Sequence, residues 1–154
     1  MTPRSATYLI GGVLAAAATL VAGFEGLENR AYRDAAGILT VCYGHTGADI
    51  DANKEYTDEE CLETLRRDIE KHASALTCIK TPLGDNQKTA FISFAFNVGR
   101  GAFCSSTLVK KANAGDLHGA CAELDKWVYA GGRRLRGLVK RRAAERALCE
   151  TGLK

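Results

Sequence analysis

Gly23-Phe-Glu-Gly-Leu-Glu-Asn-Arg-Ala-Tyr-Arg-Asp-Ala-Ala-Gly-Ile-Leu-Thr40 is the stretch on which the reading of this chain turns. Upstream of it, Ala6 to Phe24 carries no charge, and Glu25 closes that segment. Downstream, the β-prone Ile38-Leu-Thr-Val-Cys-Tyr43 leads to Gly44. Together with Ala31 to Asp34, across Ala35-Ala-Gly37, it predicts a hairpin with a glycine-containing turn. Glu25 and Asp34 have eight residues between them, so helix periodicity cannot bring them together. They meet only if a helix ends near Glu25 and the chain turns back. One acid therefore closes a candidate membrane segment and opens a candidate active site.

With 154 residues and 46% hydrophobic content, the chain is long enough for one domain with its own core and too short for two comfortable ones. The net charge of +3 is mildly basic and by itself says little about nucleic acid. The distribution says more: Arg133, Arg134, Arg136, Lys140, Arg141, Arg142 and Arg146 crowd one C-terminal stretch, opposed there only by Glu145. They read either as a solvated helix face or as a surface attracted to anionic wall or outer-membrane polymers. A nucleic-acid surface is disfavoured by the expected export, the absence of a recognition motif and the few interleaved aromatics.

The six cysteines, Cys42, Cys61, Cys78, Cys104, Cys121 and Cys149, lack the paired spacing of a zinc module. An even count behind an apolar N-terminus points to disulfides in an oxidising compartment. Fifteen pairings are open to six cysteines. Closing successive loops gives 42–61, 78–104 and 121–149 as the expected set. A metal on Cys42, His45 and Cys61 is the weaker reading, because an exported chain would sooner oxidise those thiols.

Ala6 to Phe24 meets the length of roughly 18 residues that a spanning helix requires. About half of it is Ala or Gly, so it should hold to lipid less tightly than a Leu/Ile-rich span. The N-terminal amine and Arg4 precede it and Glu25 and Glu28 follow, which places the N-terminus in the cytoplasm and the body outside the inner membrane. A cleavable signal peptide and a buried helix of a soluble protein are the alternatives. Cleavage near Ala22 would remove the helix leading into Glu25. The expected division is residues 1–24 as a weak transmembrane segment and 25–154 as the domain.

In the body, Thr57-Asp-Glu-Glu60 is a capping box that predicts a helix from about Asp58 to Leu76. Ala90-Phe-Ile-Ser-Phe-Ala-Phe96 with Val98 is apolar nearly all round and predicts a central helix ending at Gly99. Shorter helices are expected at about Ser106–Ala112 and Asp116–Tyr129, the latter stopped by Gly131-Gly132, and a last one at about Leu138–Glu150.

Glycoside hydrolysis needs one protonated carboxylic acid for the leaving oxygen and a second carboxylate to stabilise charge or activate water. Glu25, among Phe24, Gly26 and Leu27, suits the first role, since desolvation favours its neutral form. Asp34, in a polar turn beside Arg33, suits the second. Thr40 could orient a water, its hydroxyl being donor and acceptor at once. The bland reading of each acid is a solvated turn residue.

At these residues the chain resembles the phage-type lysozymes, or endolysins, of glycoside hydrolase family 24. Phe24-Glu-Gly-Leu27, Ala31-Tyr-x-Asp34, Gly37-x-x-Thr40 and Tyr43-Gly-His-Thr-Gly47 are similar to that family's catalytic region. Ser93-Phe-Ala-Phe-Asn-Val-Gly99, Ser106-Thr-Leu108, Asn113-Ala-Gly-Asp116, Trp127 and Gly137-Leu-Val-x-Arg-Arg142 with Glu145 follow in the same order. The resemblance covers about Gly23 to Leu148. It implies an α+β, predominantly helical, lysozyme-like fold, with a small β-hairpin lobe beside the catalytic helix and a larger helical lobe. It implies Glu25 as general acid, Asp34 as base or electrostatic partner and Thr40 as water-positioning residue, with Gly44, His45, Phe96 and Asn97 on the substrate. The implied reaction is hydrolysis, with inversion, of the β-1,4 bond between N-acetylmuramic acid and N-acetylglucosamine of peptidoglycan. No metal or organic cofactor is implied.

Cys42, where many relatives have Gly, the other cysteines and the apolar leader resemble the signal-arrest-release subgroup. Its members are exported by the host's secretion machinery, held on the inner membrane facing the periplasm and then released. A monomer that contacts no nucleic acid is expected. The rival from another class is a membrane-anchored, peptidoglycan-binding protein with this fold but no catalysis. Glu25→Gln separates the two, because a binder would keep its activity.

Overall fold

Val13, Ala17 and Val21 recur every four residues in the helix α1 (Pro3–Glu25), and all three are buried. That stripe is what ties the N-terminal segment to the body. It packs against Leu65 and Ile69 of α2 (Asp58–Ala73) and Ile92 of α3 (Asp85–Val98). Ala17, with no side chain beyond Cβ, lets the helices approach closely. The computed structural model describes residues 3–154, with side chains from Gly12 onward. The packed body thus includes α1 from Val13 on, upstream of the residue-25 boundary that the sequence suggests. Among the described residues no helix is long and apolar enough to cross a membrane. The uncharged stretch read from the sequence starts at Ala6, and its side chains up to Gly11 lie outside those described.

Gly26, at φ 71°, stops α1 by donating its N–H to the Ala22 carbonyl at 3.1 Å. This left-handed glycine cap turns the chain directly into the sheet. Strands β1 (Glu28–Arg33), β2 (Leu39–Cys42) and β3 (His45–Thr46) form an antiparallel meander, with Tyr32 opposite Thr40 and Thr40 opposite Thr46. Its core is small: Val41, Cys42 and Cys61, edged by Leu27, Ala31, Tyr43, Ile50 and Tyr56.

The capping box at Thr57 and Glu60 starts α2, both reciprocal hydrogen bonds being present. The α-helix ends at Ala73 and tightens into a 3-10 turn, Ser74–Cys78, so the expected single helix to Leu76 is divided. α3 is the centre of the larger lobe, with Phe91, Phe94 and Ala95 fully buried. Around it lie α4 (Arg100–Cys104), α5 (Thr107–Asn113), α6 (Leu117–Glu123) and α7 (Arg136–Glu150). Phe103 of α4 meets Phe94 edge-on at 5.9 Å, and Trp127 meets it at 5.2 Å. Each buried aromatic stabilises the lobe by about 1.5–3 kcal/mol relative to exposure.

The helix expected to reach Tyr129 stops at Glu123 and continues only as a 3-10 turn, Leu124–Lys126. Gly131 and Gly132, at φ 57° and 75°, do not merely end a helix. Two consecutive left-handed residues make the tight turn of a hairpin, β4 (Tyr129–Ala130) with β5 (Arg133–Arg134). With the meander and seven helices among the described residues, the fold is α+β and mostly helical.

The cysteines pair as Cys42–Cys61, Cys78–Cys104 and Cys121–Cys149, with Cα separations of 4.9, 5.8 and 5.7 Å. The first fastens the sheet to α2; the other two lie in the helical lobe. Cys42 stands at φ 60°, a conformation that favours glycine, and its bridge holds it there.

Candidate active site

Because Gly26 ends α1 where it does, Glu25 is the helix's last residue and projects into the seam between the sheet and the helical lobe. Its Oε1 accepts a hydrogen bond from Arg141 Nη1 at 2.7 Å. Its Oε2 faces Gly44, where a Cβ would lie only 2.9 Å away. Gly44 also has φ 72°, so a glycine is required there twice over. The apolar setting expected for Glu25 is therefore only half the picture: a buried guanidinium stands on one side of the carboxyl and bare backbone on the other.

Arg141 is itself held from behind. Its Nη2 donates to the Ser93 carbonyl at 3.1 Å and the Ser93 hydroxyl at 3.4 Å, and its guanidinium stacks over the Phe24 ring at 5.0 Å. Next to it, Arg142 donates to the Trp127 carbonyl at 2.9 Å and to Glu145 and Asn97. Burial pushes the Glu145 carboxyl up and the Arg142 guanidinium down, each opposed by the charge of the other. Arg141 and Arg142 thus leave the solvated face that the sequence suggested for the basic stretch. The available signal was positional: Leu138, Arg141, Arg142, Glu145 and Cys149 recur at helical spacing, so charges occupy the core-facing stripe of α7.

Asp34 sits half-buried in the β1–β2 turn. Its Oδ1 accepts from the backbone N–H groups of Ala36 at 2.8 Å and Ile38 at 2.9 Å, while Gly37 donates its N–H to the Asp34 carbonyl at 2.9 Å. Arg33 braces the same turn through the Gly37 carbonyl at 2.9 Å. The carboxylate is fixed through one oxygen. Tyr32 lies near both acids: burial and the negative charges of Glu25, Glu28 and Asp34 together raise its phenol pKa. Thr40 is buried, and its hydroxyl donates to the Ile38 carbonyl at 2.9 Å. Its one proton is used, which leaves its lone pairs to accept.

His45 and the two α3 residues are engaged with protein partners. His45 Nδ1 meets Asp68 at 2.7 Å and Nε2 meets Asp49 at 3.0 Å, which clamps the segment after β2 onto α2. Phe96 packs with His72, ring centroids 5.0 Å apart, and against the α1–α2 cluster. Asn97 accepts from Arg142 through Oδ1. Of the residues expected at the site, Glu25 and Gly44 lie side by side, with no room for a Cβ at 44. Asp34 and Thr40 share one hairpin, and Tyr32, on β1 opposite Thr40, was not assigned a role from sequence. Ser93 and Arg141 were likewise missed as members of the site.

Residues 22–145 match the phage lysozyme family, and the chain belongs to it. It is a glycoside hydrolase of the lysozyme kind, and nothing favours the non-catalytic wall binder. It is 43% identical over 149 residues to the SAR-endolysin of bacteriophage PS119, covering 92% of this chain and 89% of that one. Among solved structures it matches the muramidase domain of SpmX from Asticaccaulis excentricus, with TM-score 0.81, 33% identity, and 88% and 95% of the two chains covered. It also matches the active form of the P1 phage endolysin Lyz, with TM-score 0.80, 28% identity and 96% and 92% coverage. The secreted inactive form of that endolysin matches at only 0.52, with 26% identity and 70% and 78% coverage.

Proposed function

We propose that the protein is an endolysin that hydrolyses the β-1,4 bond between N-acetylmuramic acid and N-acetylglucosamine of peptidoglycan, lysing the host at the end of phage infection. The observation that carries this reading is the Glu25 carboxyl, oriented by Arg141 through one oxygen and presented over Gly44 with the other. Glu25 supplies the proton to the departing glycosidic oxygen from Oε2, the oxygen that Arg141 does not hold. Asp34, fixed by two backbone N–H groups, faces the positive charge that develops at the anomeric carbon and takes a proton from the attacking water. Thr40 accepts a hydrogen bond from that water. Attack from the face opposite the leaving group inverts the anomeric centre, which requires a carboxyl separation of roughly 6.5–9.5 Å.

Glu25→Gln removes the transferable proton while keeping the shape of the side chain. Release of reducing ends from purified sacculi should fall by about 10²–10⁴-fold. Retention of most of the activity would overturn the assignment. Proton NMR of the first anomer formed tests inversion.

Export and tethering belong to the same proposal. Residues 1–24 hold the exported chain on the inner membrane with the body in the periplasm, and Glu25, at the bilayer surface, is then kept away from Asp34. On release, the segment packs through Val13, Ala17 and Val21 and presents Glu25. Cells fractionated with and without a membrane uncoupler test this. Intact protein should move from membrane to periplasm, and a shortened N-terminus would instead reveal a cleaved signal. Full activity of the tethered form on purified peptidoglycan would sink the release mechanism.

A further inference from the structure

Two carboxylates lean on one pair of buried guanidiniums. Glu25 holds Arg141 and Glu145 holds Arg142, and the side chain of Glu145 is wholly buried whereas that of Glu25 is 24% exposed. The mechanism employs Glu25 and leaves Glu145 without a task. An acid kept out of water is costly unless charged partners surround it, so its place in the core calls for a reason.

Glu145 follows Arg141 by four residues in α7, and both side chains therefore project from one face of the helix. Ser93 of α3 meets them there. Its carbonyl and hydroxyl accept from Arg141 Nη2, and while burial raises the Glu145 pKa, Arg142, Arg141 and the Ser93 hydroxyl pull it down. Among the described residues, two buried side-chain atoms lack a hydrogen-bond partner, Glu145 Oε2 and Arg141 Nε. A spare acceptor and a spare donor thus stand one helical turn apart. Arg142 takes up only one oxygen of Glu145, through Nη1, and the charge left on the carboxylate acts on Arg141. Neighbouring elements add little charge to this cluster. In the turn Leu124–Lys126, Asp125 pairs with Arg146 and Lys126 with Glu123; α3 brings the neutral Ser93 and Asn97. Tyr32 and Asp34 stand on the sheet side of Glu25.

A guanidinium 2.7 Å away favours the charged form of a carboxyl, whereas a general acid has to reach the glycosidic bond with its proton on. A second carboxylate on the same cations works against that pull. We propose that Glu145 is a positioning residue for the reaction: through Arg141 it holds the Glu25 carboxyl in place and offsets the guanidinium charge that would otherwise draw the proton off Glu25. The proposal rests on the lysozyme reading and adds to it a residue too deeply buried to touch the glycan.

Glu145→Gln keeps the shape of the side chain and removes its charge. Reducing ends released from purified sacculi give kcat/KM against pH, measured at a temperature where circular dichroism shows the variant folded. The alkaline limb, on which the general acid loses its proton, should move to lower pH by about 0.5–1 unit, with KM within about twofold of the parent. An unmoved limb would overturn the proposal, since a structural role alone lowers the melting temperature without shifting the profile.

The coupling between two charges is reciprocal, which supplies a second measurement that does not depend on how well Glu145→Gln folds. Carboxyl carbon-13 NMR follows the titration of Glu145 in the parent and in Glu25→Gln, whose changed residue lies at the seam between the lobes. With the Glu25 charge gone, both guanidiniums serve Glu145, and its titration should fall by the same 0.5–1 unit, roughly. Identical titrations in the two proteins would overturn the proposal as well. Failure of the parent to cleave sacculi would count against the lysozyme reading instead, and the NMR comparison would still decide whether the two acids share their cations.

Discussion

The two lobes that meet at Glu25 are stabilised by different means. The helical lobe packs Phe91 and Phe94 of α3 with Phe103, Leu108 and Leu124, all buried, and bears its own two disulfides. The sheet lobe buries little beyond Thr40, Val41 and Cys42 and leaves Tyr32 and Ile38 exposed. It is fastened to its neighbours by discrete links: the Cys42–Cys61 bridge, the His45 clamp on Asp68, and the close approach of Gly44 to Glu25. Packing gives one lobe rigidity over many contacts. A few strong links position the other, and Asp34 and Thr40 ride on it.

Removing core from the large lobe should have the greatest effect. Phe94→Ala takes away a ring that touches Phe103, Trp127 and Arg142, and should cost about 3–5 kcal/mol in chemical denaturation. A loss below 1 kcal/mol would break the contrast between the lobes.

Replacing Cys42 and Cys61 together by Ala should cost about 2–4 kcal/mol. Hydrogen exchange should locate the loosening in residues 28–46, with the helical lobe still protected. Uniform loss of protection would mean that the two lobes unfold as one. Gly44→Ala should cost about 1–2 kcal/mol for the left-handed backbone. Its lytic activity should fall further than its stability does, because the new methyl displaces the carboxyl of Glu25. Equal falls in both would assign Gly44 a purely structural role.

The smallest effect should follow pH. Burial opposes charge on His45, yet hydrogen bonds to Asp49 and Asp68 outweigh it and raise its pKa above the ordinary histidine value. Asp49 is lowered, chiefly by its hydrogen bond to His45. A raised folded-state pKa means that the clamp's stabilisation is complete below the unfolded histidine value and is lost as pH rises through the folded one. The lowered Asp49 acts in the opposite direction: its contribution holds above the unfolded carboxylate value and fades as pH falls through the folded one. Melting temperature should plateau between these limits and decline on the alkaline side, and Asp68→Asn should flatten that decline. An unchanged alkaline limb would remove the clamp from the account of how the sheet lobe is held.

Local chemistry made much of the fold readable. The Thr57–Glu60 capping box, the all-round apolar Ala90–Val98 and the hairpin turn at Gly37 depend on neighbours within one or two turns of chain, so their expected positions nearly match those observed. The two-residue strands β4 and β5 escaped because their signal is confined to the paired glycines, which also suit a helix end. Arg141 and Ser93 escaped for a different reason. Their roles depend on partners 116 and 48 residues away.

The sequence by itself determined the two acids and their spacing, the even number of cysteines and the uncharged segment ahead of Glu25, because these are properties of residues and their near neighbours. Only the tertiary structure decided which arginines of the basic stretch are buried against Glu25 and Glu145 and which stay exposed. That division depends on which face of α7 meets α3. Core packing selects that face, and a guanidinium carried inward with it must find a carboxylate or carbonyl, since an unpaired charge in the interior costs several kcal/mol, roughly.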